Sequence, residues 1–328
     1  MDLAMIWFAL VVACWVLFAV LEGFDFGVGM LAGVLGRDEH ERAAAVRTVG
    51  PVWDGNEVWL VAAIGVTFAA FPAWYAALLP GLYLPLVGLL LALAARGVAL
   101  EFRGKVDSAA WRLRADVVLG LSSLCSAAGI GAVLALATTG LALGPGGAVP
   151  GVGVARSLAP LVSAPALVGA LVGVLAALLS GAAFLGLRTT GPVRVRARRV
   201  AIATAGVVAV VVVVLAAVAA PVAAPVAALA VVAGVGAARR REGLAFGAAS
   251  LAALGGVVAA FAAHAPVVLP STLDPAFSLT VAGAAASPGA LQVISVAGVL
   301  VLPGVVAYQA FSYWVFRERV ASGREVAA

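Results

Sequence analysis

Four carboxyl groups stand where an apolar chain carries few charges. Glu22 and Asp25 lie three residues apart in Leu21-Glu22-Gly23-Phe24-Asp25-Phe26-Gly27, after a long apolar run. That spacing puts both on one face of a helix. Asp54 and Glu57 repeat it in Pro51-Val52-Trp53-Asp54-Gly55-Asn56-Glu57-Val58-Trp59, at the start of a second apolar run. An acidic residue at the centre of a membrane span costs about 2.5–3.5 kcal/mol, so such residues mark ion or proton routes. Carboxyls suit the task because they both take up and release protons in a partly desolvated site. Each pair also has a structural alternative. Asp54 with Glu57 three residues on resembles a capping box at a helix start. Glu22 and Asp25 have as theirs an ion pair with Arg96 at a helix end.

Other chemistry is excluded by what is missing. The two histidines, His40 and His264, fall at opposite membrane faces by the topology below, about 30 Å apart. They cannot form a bis-histidine haem site or a metal site, and Met1, Met5 and Met30 supply no further ligand set. Cys14 and Cys125 each sit alone in an apolar run and read as small core residues. No P-loop, dinucleotide fingerprint, nucleophile elbow or zinc-protease motif is present.

The elements that position the carboxyls follow from composition. The 328 residues are 64% hydrophobic and 11% charged, with mean hydropathy +1.16; soluble domains carry about 25% charged residues. A soluble enzyme, a nucleic-acid binder and a disordered scaffold are excluded, leaving an all-α polytopic membrane protein. Apolar runs of suitable length fall at 4–30, 55–71, 74–95, 116–140, 157–187, 200–219, 222–238, 243–264 and 290–316. Asp2 precedes the first run and no basic residue does, so it reads as a retained span rather than a secretory signal. The stretch 200–238 would make one helix about 58 Å long, too long for a single crossing, and Pro221 and Pro225 suggest a hairpin at its middle. About nine spans result, arranged as two four-helix bundles plus one peripheral helix, in a single transmembrane domain covering 1–328.

Charge supports that count. With nine spans, 19 of the 20 basic residues fall in loops on one face, Arg96 among them, and Arg156 stands alone on the other. The positive-inside rule then puts the N-terminus outside and the C-terminus in the cytoplasm. Both acidic pairs lie toward the cytoplasmic side, and segments 140–157 and 265–289 become exterior loops. Trp53, Trp59, Trp74, Tyr75, Trp111, Tyr313 and Trp314 fall near span ends, as an aromatic belt would. Glycines 23, 27, 29 and 33 give small-residue spacing for close helix approach.

These residues carry a family resemblance. The block from Leu21 to Gly29, then Gly36-Arg37, Glu41-Arg42 and Gly50 to Trp59, resembles subunit II of cytochrome bd-type quinol oxidases. So do Phe68 to Ala76, Arg96-Gly97-Val98-Ala99, Glu101 to Lys105 and the late Pro270-Ser271-Thr272. The N-terminal third matches in long ordered blocks, the remainder mainly in span pattern and in 266–316. The near-absent loop between the sixth and seventh spans departs from many relatives. The resemblance implies a subunit without haem or catalytic residues of its own. Its heterodimer partner, subunit I, would carry two b-type haems and haem d, oxidise quinol and reduce oxygen to water in a bacterial cell membrane. It also implies a proton route at Asp25 and Asp54; Glu22, Glu57 and Arg96 beside them complete the candidate set. Which quinol is used, whether a structural quinone is held here and whether a small accessory subunit attaches stay open. Lipid surrounds the spans, and no nucleic acid is expected as a partner. Two other readings compete: an ion-coupled secondary transporter, whose coordinating groups would lie near mid-membrane, and a purely structural subunit.

Overall fold

Hydrocarbon offers no water to an exposed N–H or carbonyl, so a chain this apolar must satisfy its backbone within helices. The computed structural model describes residues 2–151, 153–218 and 224–322. Thirteen α-helices follow in chain order: α1 Leu3–Leu35, α2 Glu39–Arg47, α3 Trp53–Ala70, α4 Pro72–Gly81, α5 Tyr83–Phe102, α6 Ala109–Thr139, α7 Val154–Leu158, α8 Ala164–Arg188, α9 Pro192–Val218, α10 Ala224–Ala238, α11 Glu242–Ala262, α12 Val281–Ala284 and α13 Pro288–Val315. Extended Asp or Ser residues start several of them. Asp2, Asp38, Ser108, Ser163 and Ser287 each accept a first-turn N–H, removing donors the helix itself cannot satisfy.

Seven of these helices are long and apolar enough to cross a membrane among the described residues: α1, α5, α6, α8, α9, α11 and α13. The protein is a multi-pass membrane protein. Shorter α10 packs along α9, joining Ala205, Val208 and Val212 to Ala227, Ala230 and Ala233. The hairpin expected at Pro221 lies outside the described residues, whereas Pro225 sits in the first turn of α10. The apolar run 74–95 is not one helix: the chain breaks at Leu82, dividing it between α4 and α5, with Pro80 and Pro85 flanking the break.

Helices α1, α3, α5 and α6 form one group and α8 to α11 a second; α8 joins them by packing on both α1 and α6. Glycine makes this seam. A Cβ at Gly181 would lie 2.5 Å from the Gly27 Cα, and one at Gly131 3.0 Å from the Gly173 Cα, so backbones touch where any side chain would hold them apart. Of the α1 glycines, Gly27 and Gly29 are enclosed, while Gly23 and Gly33 face open space. Helix α13 stands at the side of the assembly, with Leu291 its only buried residue.

Loop ends gather the charges at one end of the bundle. Arg103, at the end of α5, donates to Asp116 at 2.6 and 3.1 Å and to Glu39 at 3.2 Å. Burial opposes the Arg103 charge, but the Asp116 and Glu39 carboxylates outweigh it and raise the guanidinium pKa. Arg196 meets Glu41 at 2.5 Å, and Arg194 and Arg198 each reach Glu242 at 2.8 Å. Parallel strands β1 (Thr189–Thr190) and β4 (Val320–Ala321) bring the segment after α13 to the same end. The opposite end holds the 140–151, 153–163 and 263–287 segments, where β2 (Val267–Leu269) pairs antiparallel with β3 (Leu279–Thr280).

Several sequence expectations change here. Arg96 is not a loop residue; it sits inside α5 and is fully buried. Trp59 and Trp74 are core residues rather than belt residues, Trp74 packing against Phe8, Phe71 and Phe261. Cys14 is buried as expected, but Cys125 is exposed on the flank of α6.

Candidate functional site

About three turns from the end of α1, the helix carries Glu22 and Asp25 inward, both buried to within 1% exposure. Arg96 enters from α5 and is likewise fully enclosed; it pairs with Glu22 and lies 3.6 Å from Glu57 on α3. The guanidinium carbon also sits 4.9 Å from the Phe26 ring centroid and 6.0 Å from that of Trp53, where ring faces favour a cation. The ion pair with Arg96 is therefore formed, but by Glu22 and in mid-helix. Charge remains unmatched: one guanidinium faces three carboxyls.

Asp25 is held by a different group. The Asn56 amide on α3 donates to Asp25 Oδ2 at 2.7 Å and to the Leu21 carbonyl at 3.2 Å. Its Oδ1 accepts from Gln309 Nε2 at 2.7 Å and from the Tyr313 hydroxyl at 2.9 Å, both on α13. Asn56 thus uses both donor hydrogens and both acceptor positions. Among the described residues, Asp25 Oδ1 is buried and receives no N–H or hydroxyl donor, while the Glu22 carboxyl on the same helix lies within hydrogen-bonding reach of the Asp25 carboxyl.

Glu57 leads outward. Its side chain is 26% exposed, and it lines an open groove of about 300 Å³ with Trp53, Asp54, Val58, Val61, Leu93, Ala94 and Gly97. Asp54 lies on the rim of that groove, exposed and outside the buried cluster. The capping role weighed for it does not hold. The helix begins one residue before it, Val52 occupies the N-cap, and no side chain caps the end. Asp54 instead sits in the first turn, where a negative charge is favoured by the helix dipole.

Of the sequence candidates, the structure thus brings together Glu22, Asp25, Arg96 and Glu57 and leaves Asp54 at the entrance. Sequence reasoning missed Asn56 and Gln309, and assigned Tyr313 to the membrane interface. No group of three His, Cys, Asp or Glu residues is disposed to hold a metal ion among the described residues. His40 lies on α2 and His264 just beyond α11.

Comparison with known proteins gives a consistent result. A family model described as cytochrome bd terminal oxidase subunit II matches residues 3–316. Cytochrome bd ubiquinol oxidase subunit 2 of Bacillus subtilis (strain 168) is 38% identical over 332 residues, covering 96% of each chain. Cytochrome bd-I ubiquinol oxidase subunit 2 of Escherichia coli (strain K12) is 44% identical over 110 residues, covering 34% of this chain and 29% of that one. Among solved structures, a chain of the bd oxidase from Geobacillus thermodenitrificans superposes with a TM-score of 0.75 at 20% identity, covering 96% of this chain and 99% of that one. At that identity the likeness carries the fold.

Proposed function

Because the chain belongs to the cytochrome bd terminal oxidase subunit II family, a component of an oxidoreductase complex, we propose that its buried carboxyls feed cytoplasmic protons to oxygen reduction in the partner subunit. The ion-coupled transporter is not favoured by this membership. The family implies haem in the complex, and on the resemblance the two b-type haems and haem d belong to subunit I, which oxidises quinol. Oxygen reduction to water consumes protons, and a membrane-embedded site needs a polar path to receive them.

One observation supports the reading most directly: Glu22, Asp25 and Arg96 form a fully buried charged cluster, and Glu57 links it to a groove open at its other side. Asp54 on the groove rim attracts cations to the entrance. Glu57 passes protons inward, and Arg96, paired with Glu22, balances one of the enclosed carboxylate charges and so favours the ionised form of that carboxyl. Asp25 is the acceptor beyond, since its Oδ1 receives no protein N–H or hydroxyl donor and its carboxyl lies within hydrogen-bonding reach of Glu22, from which a proton can pass. The basic loops at this end support a cytoplasmic placement for it in a bacterial plasma membrane, with the N-terminus outside. Lipid covers the apolar flanks; a structural quinone or small accessory subunit would be an addition to this account and carries no step in it. An impermeant thiol reagent applied to single cysteines at 240 and 317, in a Cys125→Ala background, should label both from the cytoplasmic side.

Asp25→Asn and Asp54→Asn complexes test the assignment. Both should assemble with unchanged haem spectra. Oxygen consumption with quinol should fall by about 100-fold or more in the first, the usual scale for a lost proton-transfer group. It should fall only several-fold in the second, since an exposed rim charge is screened by salt. Full activity in Asp25→Asn would remove the route from this chain and favour the purely structural subunit.

A further inference from the structure

Helix α13 contributes few buried residues, yet it inserts two polar side chains into the centre of the site. From this we infer that Gln309 and Tyr313 are positioning residues that hold the Asn56 amide as a fixed donor to Asp25 Oδ2, leaving Oδ1 as the oxygen that takes and releases the proton. The inference rests on the proton-route reading and extends it to a specific atom.

The orientation of Asn56 follows from one unambiguous partner. The Leu21 carbonyl can only accept, so the Asn56 atom 3.2 Å from it is the amide nitrogen. That same nitrogen lies 2.7 Å from Asp25 Oδ2. The amide oxygen must then face Gln309 Nε2 and the Tyr313 hydroxyl, both of which can donate. Donation into an amide carbonyl polarises the group and strengthens the hydrogen bonds its N–H groups donate, so the chain from α13 through Asn56 to Asp25 is cooperative. Asp25 Oδ2 is occupied by the Asn56 amide in either protonation state. Oδ1 receives no protein N–H or hydroxyl donor, so it is the oxygen free to carry a proton, including one shared with the neighbouring Glu22 carboxyl. The other groups facing Asp25 are Glu22 on its own helix, Arg96 on α5, Glu57 on α3 and Tyr313 on α13, with Arg188 of α8 beyond Tyr313. None of them hydrogen-bonds the Asn56 amide except Tyr313.

Gln309→Met and Tyr313→Phe keep shape while removing the donors. In the assembled oxidase, each single variant and the double variant should retain haem content and quinol KM. The pH profile of kcat should move toward alkaline pH in the double variant by about half a unit to one unit, as loss of a hydrogen bond to a carboxylate predicts. The single variants should move it less. A lower rate with an unmoved profile in the single variants, or in the double variant, would overturn the inference and leave α13 a packing element. If the double variant fails to assemble, the two single variants decide the matter by the same profile. Asp25→Asn run alongside separates the two levels: if it keeps full turnover, the proton-route reading fails; if it loses turnover while the α13 variants keep the native profile, only the positioning role fails.

Discussion

Removing the Arg96 guanidinium should destabilise the protein far more than its single charge suggests, and removing Glu22 as well should restore most of the loss. Arg96 and Glu22 are both fully enclosed and paired, so neither has water to fall back on. Arg96→Met fills the same space but leaves the Glu22 carboxyl buried without a counter-charge, which costs about 3–5 kcal/mol. It also removes the ring contacts to Phe26 and Trp53, contributing about 1 kcal/mol. Adding Glu22→Gln removes the stranded charge, so the double variant should lie within about 1–2 kcal/mol of the unmodified protein. With Glu22→Gln alone costing little because Glu57 still faces Arg96, the coupling energy should be about 2–5 kcal/mol, well above the 0.5 kcal/mol or so seen between independent sites. Unfolding of the purified complex by denaturing detergent, followed by far-UV circular dichroism across the four-member cycle, measures it. Additive effects of the two substitutions would refute the pairing on which the site is built.

The other predictions concern the scaffold. Gly27→Ala or Gly181→Ala forces a Cβ into neighbouring backbone and should cost about 1–3 kcal/mol, seen as a shortened thermal half-life of the complex. Gly33→Ala faces open space and should leave that half-life unchanged. Asp116→Asn breaks the enclosed forked contact to Arg103 and should cost about 1.5–3 kcal/mol in the same unfolding assay. Glu101→Gln, in the exposed pair with Lys105, should cost less than about 1 kcal/mol.

The sequence made the inner carboxyls legible because Glu22 and Asp25 interrupt an apolar run, where nothing but function or pairing explains them. Arg96 was legible as a partner but not as a helix residue. A charge ends a hydropathy run on paper, whereas in the fold Glu22 and Glu57 let α5 continue past it to Phe102. Asp54 followed the spacing rule for a cap, yet α3 begins at Trp53 because the backbone turns at Val52 instead. Trp74 has the composition of an interface residue, and only the packing of Phe8, Phe71 and Phe261 around it reveals a core position. Asn56, Gln309 and Tyr313 carry no charge and lie far apart in the chain, so no local pattern pairs them. Their common function emerges only when α13 comes to rest beside α3.

The most direct test of the account is proton uptake during a single turnover. The fully reduced complex, in weak buffer with a pH-sensitive dye, is mixed with oxygen while dye and haem absorbance are followed together. With Asp25→Asn, the account predicts that electron transfer to oxygen begins at its native rate while proton uptake from solution slows by about 100-fold or more. Uptake at the native rate in that variant, with haem content intact, would contradict the claim that protons enter through this chain.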